Sequence, residues 1–330
     1  MLTPEQIAER KSGIGGSDLA CVLGLSPWRS PVDVWLEKTG QNAVAVEETP
    51  AMYWGSQLEE LVAREYARRT GRVVSRVNKT LRHPELPLVG HIDRAVGEIG
   101  ERPVLFGKIV SERLLECKTA SGFGKGDWGA EGTDEIPMYY ACQVQHYMGL
   151  TGCEVCDLAV LFDGRDFQVF TVALDRELVN NMWGIAAEWW ARHVTADTPP
   201  PPRTAEDCQK LFRKSAARRV VAPASIENAA RRLAEVSAVR KTYEDTEKEL
   251  RDQIAACMGD AEELITPATD TPLVTWKSAK PTTKTDWEGL AKSLNPTTEK
   301  VAEFTKEVPG SRRFLVKVKV ESPAQKQKGQ

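Results

Sequence analysis

The chain of 330 residues has no apolar run approaching the roughly 18–20 residues that cross a bilayer, which excludes a membrane-spanning helix. Its first residues, Met1-Leu2-Thr3-Pro4-Glu5-Gln6, lack the basic and then apolar plan of an export signal. There is no internal repeat. There is no excess of positive charge: 44 Lys and Arg stand against 47 Asp and Glu, for a net charge of −3. That argues against a surface coated in basic charge for nucleic acid. It leaves room for an enzyme that gathers acidic ligands in one place and confines its basic residues to a groove. The seven cysteines are odd in number and follow no regular framework, which argues against a disulfide scaffold and predicts reduced thiols in a cytoplasm. What remains, 41% apolar and 28% charged, is enough for one large core or two domains.

Two short apolar runs end in charge. In Leu114-Leu115-Glu116-Cys117-Lys118 the alternation of a strand puts Glu116 and Lys118 on one face and Leu115 and Cys117 on the other. Asp93 closes the preceding run, 88–92. If the two strands are neighbours, Asp93, Glu116 and Lys118 meet at one strand end. Two carboxylates and an ammonium are poorly matched there unless something binds. A hard divalent cation suits them, because it takes oxygen ligands and accepts one or two carboxylates together with water and phosphate. Asp, a gap, then Glu-x-Lys is the signature of the PD-(D/E)xK nucleases. Glu-x-Lys alone is common, and its placement after two strand-like runs gives it weight.

Along the chain, 4–11 is predicted to be a short helix, capped by Thr3 with Gln6 at the capping-box spacing. The stretch 12–18, Ser-Gly-Ile-Gly-Gly-Ser-Asp, leads into a second helix. Glycines there can converge N–H groups on an anion, with Ser17 adding a hydroxyl and Arg10 a fork that matches phosphate. The alternative is an ordinary capped helix after a flexible turn. A third helix opens at Ser30-Pro31, and Trp28 and Trp35 read as packing rather than base stacking. The helix over 53–70 carries an apolar stripe of Leu58, Leu61, Val62 and Tyr66. Glu59 lies at its edge as an inward acid, and Glu60 is expected to be solvated. An inward acid costs several kcal/mol unless it is paired or bound to metal.

Extended runs follow at 72–82, 88–96 and 113–119, with 97–112 as a polar insert forming a hairpin of its own. The stretch 119–137 reads as a mobile loop. A helix over 138–150 sets Tyr140, Gln143 and Tyr147 on one side. Strands 157–162 and 167–173 join across Asp163-Gly164, and Asp175 caps a helix to about 194 whose Trp183, Trp189 and Trp190 are core. Helix, three strands, helix, strand is the order of the restriction-endonuclease-like core, an α/β fold with a mixed central sheet flanked by helices.

The four prolines at 199–202 mark a stiff linker between a domain over 1–198 and a C-terminal extension over 204–330. In the extension, 204–219 is predicted helical, with basic Arg213, Lys214, Arg218 and Arg219. Ser225 caps a long helix to about Met258. Its seam of Ile226, Leu233, Val236, Tyr243, Leu250 and Ile254 is interrupted by Arg240 and Glu247, which favours packing on the protein itself over a free coiled coil. A small α+β module follows, with strands at 273–276 and 314–320 and a disordered tail from 322.

Over 1–195 the chain resembles the YqaJ-type viral recombinases, relatives of the lambda-type phage exonucleases. The matching residues are Arg10, Ile14 to Asp18, Leu23 to Trp28, Trp54-Gly55 with Glu59, Gly90 to Asp93, Leu115-Glu116-Cys117-Lys118, and Gln143 to Tyr147. The resemblance implies a 5′→3′ exonuclease on double-stranded DNA ends. It also implies Mg²⁺ or Mn²⁺, two ions per site, and a 3′ single-stranded tail for a single-strand annealing protein. Trimeric rings and a phage origin within the bacterial cytoplasm are implied as well. By position it makes Asp93, Glu116 and the Cys117 carbonyl ligands of a first metal, with Glu59 completing a second site. Lys118 would stand beside the attacking water, Gln143 would orient the site, and Arg10, Ser17 and His91 would grip the 5′-phosphate. The chain departs from the lambda-type pattern at His91, where that enzyme has a serine, and in its insert at 97–112. Other readings on the same core are a structure-specific endonuclease, an iron–sulfur nuclease using cysteines such as Cys21, Cys153, Cys156 and Cys208, and an assembly module without catalysis.

Overall fold

The computed structural model describes residues 4–41, 49–267, 269–305 and 313–318. Three short helices lead: α1 (Pro4–Lys11), α2 (Gly16–Val22) and α3 (Pro31–Lys38). The expected cap at Thr3 lies outside the described residues. The start of α3 is a capping box, in which Ser30 Oγ accepts from the Asp33 amide and Asp33 accepts from the Ser30 amide. Thr49 caps α4 (Pro50–Thr70), and Gly71, at φ +72°, stops it. The face that α4 buries is Val62, Ala63 and Tyr66; Leu61, expected within the stripe, is 54% exposed. Successive helical residues turn by about 100°, so Leu61 and Val62 cannot both face the sheet.

The strands are β1 (Val73–Arg76), β2 (Thr80–Arg82), β3 (Val89–His91), β4 (Arg94–Gly97), β5 (Val104–Leu105), β6 (Lys108–Ile109) and β7 (Arg113–Ala120). After α5 (Met138–Thr151) come β8 (Val155–Phe162) and β9 (Asp166–Ala173), then α6 (Arg176–Trp189). The main sheet runs β1-β4-β7-β8-β9. Only β7 and β8 are parallel, joined by the α5 crossover. This is the mixed, helix-flanked α/β sheet expected from the order of elements in the sequence. The runs 72–82 and 88–96 each divide in two, because β2 and β3 form a separate ribbon. The breaks fall near Val77 and Ile92, which pack into the core against Val144, Tyr147 and Met148 of α5. The insert is the small hairpin β5–β6. Asp163 and Gly164, both at positive φ, turn β8 into β9.

Alternation sorts the sheet's two faces. Leu115, Cys117 and Ala159 pack toward Val62 and Tyr66 of α4, whereas Leu114, Leu158 and Val160 pack toward α5. The stretch 119–137 is tied down, in contrast to the mobile loop expected. Gly132 N donates to Val169 O, Thr171 N donates to Thr133 O, and Trp128 packs on Phe162 and Phe170. After α6 the residues Trp190–Thr195 wind as a wider, π-type turn.

The chain divides into two compact units, Met1–Arg213 and Lys214–Gln330. The division falls beyond the prolines because α7 (Ala205–Leu211) docks back on α3, through Ser30 Oγ to Asp207 at 2.5 Å and Lys210 to Asp33 at 2.6 Å. The expected helix over 204–219 is therefore only this one short element, and Arg213, Lys214, Arg218 and Arg219 lie outside it. In the second unit α8 (Ala224–Met258) starts at Pro223, not at Ser225. The packing expected of its seam is not seen among the described residues of this unit: Ile226, Leu233, Val236, Tyr243, Leu250 and Ile254 are all exposed. The hairpin of β10 (Glu263–Thr266) and β11 (Thr269–Thr275) follows, then α9 (Trp287–Ser293) and α10 (Thr298–Phe304). Residues 313–318 are not a strand, and 319–320 and the tail from 322 lie outside the described residues. Among the described residues no helix is long and apolar enough to cross a membrane.

Candidate active site

The site forms where a ladder ends. β4 pairs with β7 only as far as Arg94 opposite Leu115. One step further the backbone pairing stops, and the Asp93 side chain takes over: its Oδ2 accepts from the Cys117 amide at 3.0 Å. This sets Asp93 next to Glu116. Glu116 points to the α5 side of the sheet and is 3% exposed. Its Oε1 receives Lys118 Nζ at 2.7 Å and Gln143 Nε2 at 2.6 Å. Gln143 Oε1 in turn accepts from Lys118 at 3.1 Å, which fixes which way the amide faces. One helical turn on, Tyr147 OH accepts from Gln143 Nε2 at 3.1 Å. Lys118 Nζ also lies over the Tyr140 ring, 5.2 Å from its centroid.

The charges are poorly compensated. Among the described residues Glu116 Oε2 is buried with no hydrogen-bond partner, a costly state for a carboxylate oxygen. Burial, reinforced by the neighbouring Glu116, pushes the Asp93 carboxyl up to about 8 against the opposing pull of Lys118 and the Cys117 amide. Burial opposes the Lys118 charge, but Glu116 and Asp93 outweigh it and hold the ammonium above the ordinary lysine value. Burial and the same two carboxylates raise the Tyr147 hydroxyl well above its ordinary value.

The orphaned oxygen and the raised Asp93 carboxyl are what a divalent cation would relieve, so the donors present fit such an ion. Glu59 is engaged elsewhere, although its charge reaches Asp93. Its Oε1 is held by Arg94 Nη1 at 2.6 Å, and Arg94 is almost fully buried. Glu60, expected to be free in solvent, shares that guanidinium at 3.0 Å and also pairs with Arg64 at 3.1 Å. Among the described residues no three His, Cys, Asp or Glu side chains gather as an ion-binding group, so Asp93 and Glu116 are a pair to which Glu59 does not add in this arrangement. The cysteines do not gather either. Cys21 donates to Ser17 O, Cys153 to Ser111 O and Cys156 to Asp157 O, so the iron–sulfur reading has no ligand set among the described residues.

The three residues expected to bind phosphate are arranged unequally. Arg10 is exposed, and its charge reaches both Tyr147 and His91. His91 is held below the usual histidine value by burial and then by Arg10; its Nε2 lies 3.1 Å from Thr80 Oγ1 and 3.8 Å from Glu9. Ser17 is exposed in the first turn of α2. The glycine run before α2 does not present all its N–H groups outward, because Gly15 N is taken by Asp18 Oδ2 at 3.2 Å. Asp18 is buried and paired with Lys38 at 2.6 Å and Arg29 at 3.1 Å. Gly16 serves close approach instead: a Cβ there would meet Tyr147 Cε1 at 2.7 Å and Gln143 Cγ at 2.9 Å. That contact seats α2 on the two site residues of α5. Sequence reasoning missed the Arg94 clamp and the role of Gly16. A charged residue directly after Asp93 at the head of an apolar run was the available signal for the first.

With this geometry in hand, residues 7–154 match the model of the YqaJ-like viral recombinase domain. Protein YqaJ of Bacillus subtilis (strain 168) is 37% identical over 203 residues, which are 61% of this chain. The chain spans 59% of the length of that curated relative. The structure of an alkaline exonuclease from Laribacter hongkongensis is 20% identical with a TM-score of 0.46, covering 59% of this chain and 94% of that one. A phage-related exonuclease from Haemophilus somnus 129PT is 13% identical with a TM-score of 0.40, covering 56% and 96%. The stretch that matches that model contains every residue of the site: Asp93, Glu116, Lys118 and Gln143, with Glu59 and Arg94 beside them.

Proposed function

We propose that the recombinase domain is a metal-dependent nuclease that digests linear double-stranded DNA from its 5′ ends, leaving 3′ single-stranded tails. The observation that carries this reading is the buried, unpartnered Glu116 Oε2 beside a second carboxylate and an ammonium. This is an incomplete charge set of the kind that a hard cation and a phosphodiester complete together. Mg²⁺ or Mn²⁺ would be held by Asp93, Glu116 and the Cys117 carbonyl. When bound it would polarise a phosphoryl oxygen and lower the pKa of a bound water. Glu59 is the acid available to a second ion, and taking that role means exchanging Arg94 for the metal.

The chain's own groups do the rest. Lys118, held cationic by Glu116, offers a donor and a charge to the scissile phosphate rather than a base. Gln143 locks Glu116 and Lys118 in one geometry through a single amide. Arg10, with His91 and Ser17 near it, supports capture of a terminal 5′-phosphate, and such contacts position a strand without reading its bases. A trimeric ring around the duplex and delivery of the tail to a single-strand annealing protein complete the reading, with the second unit as the docking element. Removing 214–330 should then leave digestion in place and change oligomer size or partner binding.

Digestion of end-labelled linear duplex with and without a chelator tests the core of this. Progressive, chelator-sensitive release of nucleotides from the 5′ end is expected. Internal nicking, or digestion that continues in chelator, would overturn it.

A further inference from the structure

Trp35, Trp183 and Trp189 are each less than a tenth exposed, but Trp28 is 67% exposed, against the packing role read from the sequence. It is the outer member of a row of rings. Trp28 meets Tyr139 edge-on with centroids 4.6 Å apart, Tyr139 meets Tyr140 at 4.4 Å, and Tyr140 lies under the Lys118 ammonium at 5.2 Å. The inner end is anchored, because Tyr140 contacts Trp128, which packs on Phe162 and Phe170. At the outer end Ser26 Oγ accepts from the Trp28 amide. The row thus leads from the solvent to the ammonium of the active site, and its outer indole is uncovered. Leaving that much ring in water forgoes burial at about 25 cal/mol per Å².

We propose that Trp28 and Tyr139 form a stacking platform for unpaired bases of the DNA strand held at Lys118. The inference rests on the nuclease reading and names where the strand lies. The occupant is single-stranded DNA because every base has a π face and an aromatic platform holds it whatever its identity. An enzyme that advances through arbitrary sequence needs that tolerance beside its cutting site. Hydrogen-bonded base readout would not provide it.

The test is equilibrium binding of short 5′-phosphorylated single strands to the full-length protein, with Ca²⁺ in place of Mg²⁺ so that strands are held without being cut. Each strand of a series carries one abasic position, moved stepwise from the 5′ end. Trp28→Ala and Tyr139→Ala should each weaken binding by about 5- to 150-fold, the loss of one stacked base. Trp28→Phe should keep most of the affinity. One abasic position should weaken binding to the wild type and have no effect on Trp28→Ala. Unchanged binding by Trp28→Ala overturns the platform, as does an abasic penalty of equal size in wild type and variant; either result, in an enzyme that still digests duplex, leaves the nuclease reading standing. A wild-type protein that binds no DNA overturns both.

Discussion

The sheet holds two buried carboxylate centres, and they are built in opposite ways. Asp157, on the α4 face of β8, is 1% exposed and fully partnered. Its Oδ1 receives Arg113 at 2.7 Å and Thr171 at 2.8 Å, and its Oδ2 receives the Tyr66 hydroxyl with Arg72 at 3.5 Å. Glu116 lies on the α5 face of the adjacent strand and is equally buried. It has one oxygen doubly bonded to its neighbours and the other with no partner. Asp93 beside it is pushed up to about 8, by burial and then by Glu116. A buried acid kept for structure is satisfied from all sides. One left incomplete against a second acid is strained in a way that a proton on its neighbour or a bound cation relieves. Under the proposed nuclease reading, this is the difference between a fastening and a site.

The sharpest way to break this contrast is to remove each acid and watch two readouts. Asp93→Ala and Lys118→Ala should lower digestion by about 10³-fold or more, the several kcal/mol expected of groups that stabilise a phosphoryl transition state. Asp93→Ala, which relieves Glu116 of a like charge, should melt near or above wild type, whereas Lys118→Ala, which leaves Glu116 without its cation, should melt lower but still unfold cooperatively. Near-normal digestion by either variant would end the assignment. Asp157→Ala should do the reverse. Its loss strands Arg113 and the Tyr66 hydroxyl in the interior at a cost of about 3–5 kcal/mol, read by denaturant unfolding. Digestion per folded molecule should persist. A variant of Asp157 that is stable but inactive would erase the distinction.

The sequence made one of these centres legible and hid the other, for identifiable reasons. Glu116 and Lys118 could be placed on one face because strand alternation is strict, and Gln143 and Tyr147 because four residues make one helical turn. Asp157 was read as the first residue of its strand, a position where an acid meets water. Two further pairs, Arg113 with Val155 and Leu114 with Cys156, extend the ladder and bury it. The clamp of Arg94 on Glu59 and Glu60 spans 34 or 35 positions of chain, and no local periodicity reports such a contact. Gly16 resembled an anion-binding glycine because a residue without a side chain looks the same in sequence whether a phosphate or a tyrosine approaches it. The exposure of Trp28 was likewise invisible, since indoles read as core wherever apolar residues surround them.

His146 sharpens the contrast at intermediate size, because it sits one helical step from the site yet belongs with the fastenings. It is fully buried, with Nδ1 accepting from Trp183 Nε1 and Nε2 against Val89 O, both at 2.9 Å. Burial pulls its pKa from 6.5 down to about 4. Above pH 6.5 the imidazole is neutral in both states and its contribution is complete. As pH falls the unfolded chain takes up a proton that the folded chain refuses, so stability drops between pH 6.5 and 4 by about 3 kcal/mol in all. Between pH 7 and pH 5 urea unfolding should show the wild type losing about 2 kcal/mol relative to His146→Gln, a comparison in which the opposite drift from the raised Asp93 carboxyl is common to both proteins, although the variant starts less stable. Equal slopes would show that His146 is not the group responsible.

The smallest effect discriminates best, because it involves no catalysis. If the pair Asp93 and Glu116 is incomplete for want of a cation, Mg²⁺ must bind the folded protein better than the unfolded chain and raise its stability. At ten times its Kd the gain is about 1.4 kcal/mol, and for a unit of this size that is roughly 3–6 °C in Tm. Asp157→Asn should melt lower than wild type yet gain the same increment from Mg²⁺, because its carboxylate belongs to the other centre. Glu116→Gln should gain none: the amide supplies a weaker ligand and relieves Asp93 of its charged neighbour, so the strain that favours the ion disappears. An increment that survives Glu116→Gln and vanishes in Asp157→Asn would place the ion at the wrong centre, and the meaning assigned to the orphaned oxygen would have to be abandoned even if the protein cuts DNA.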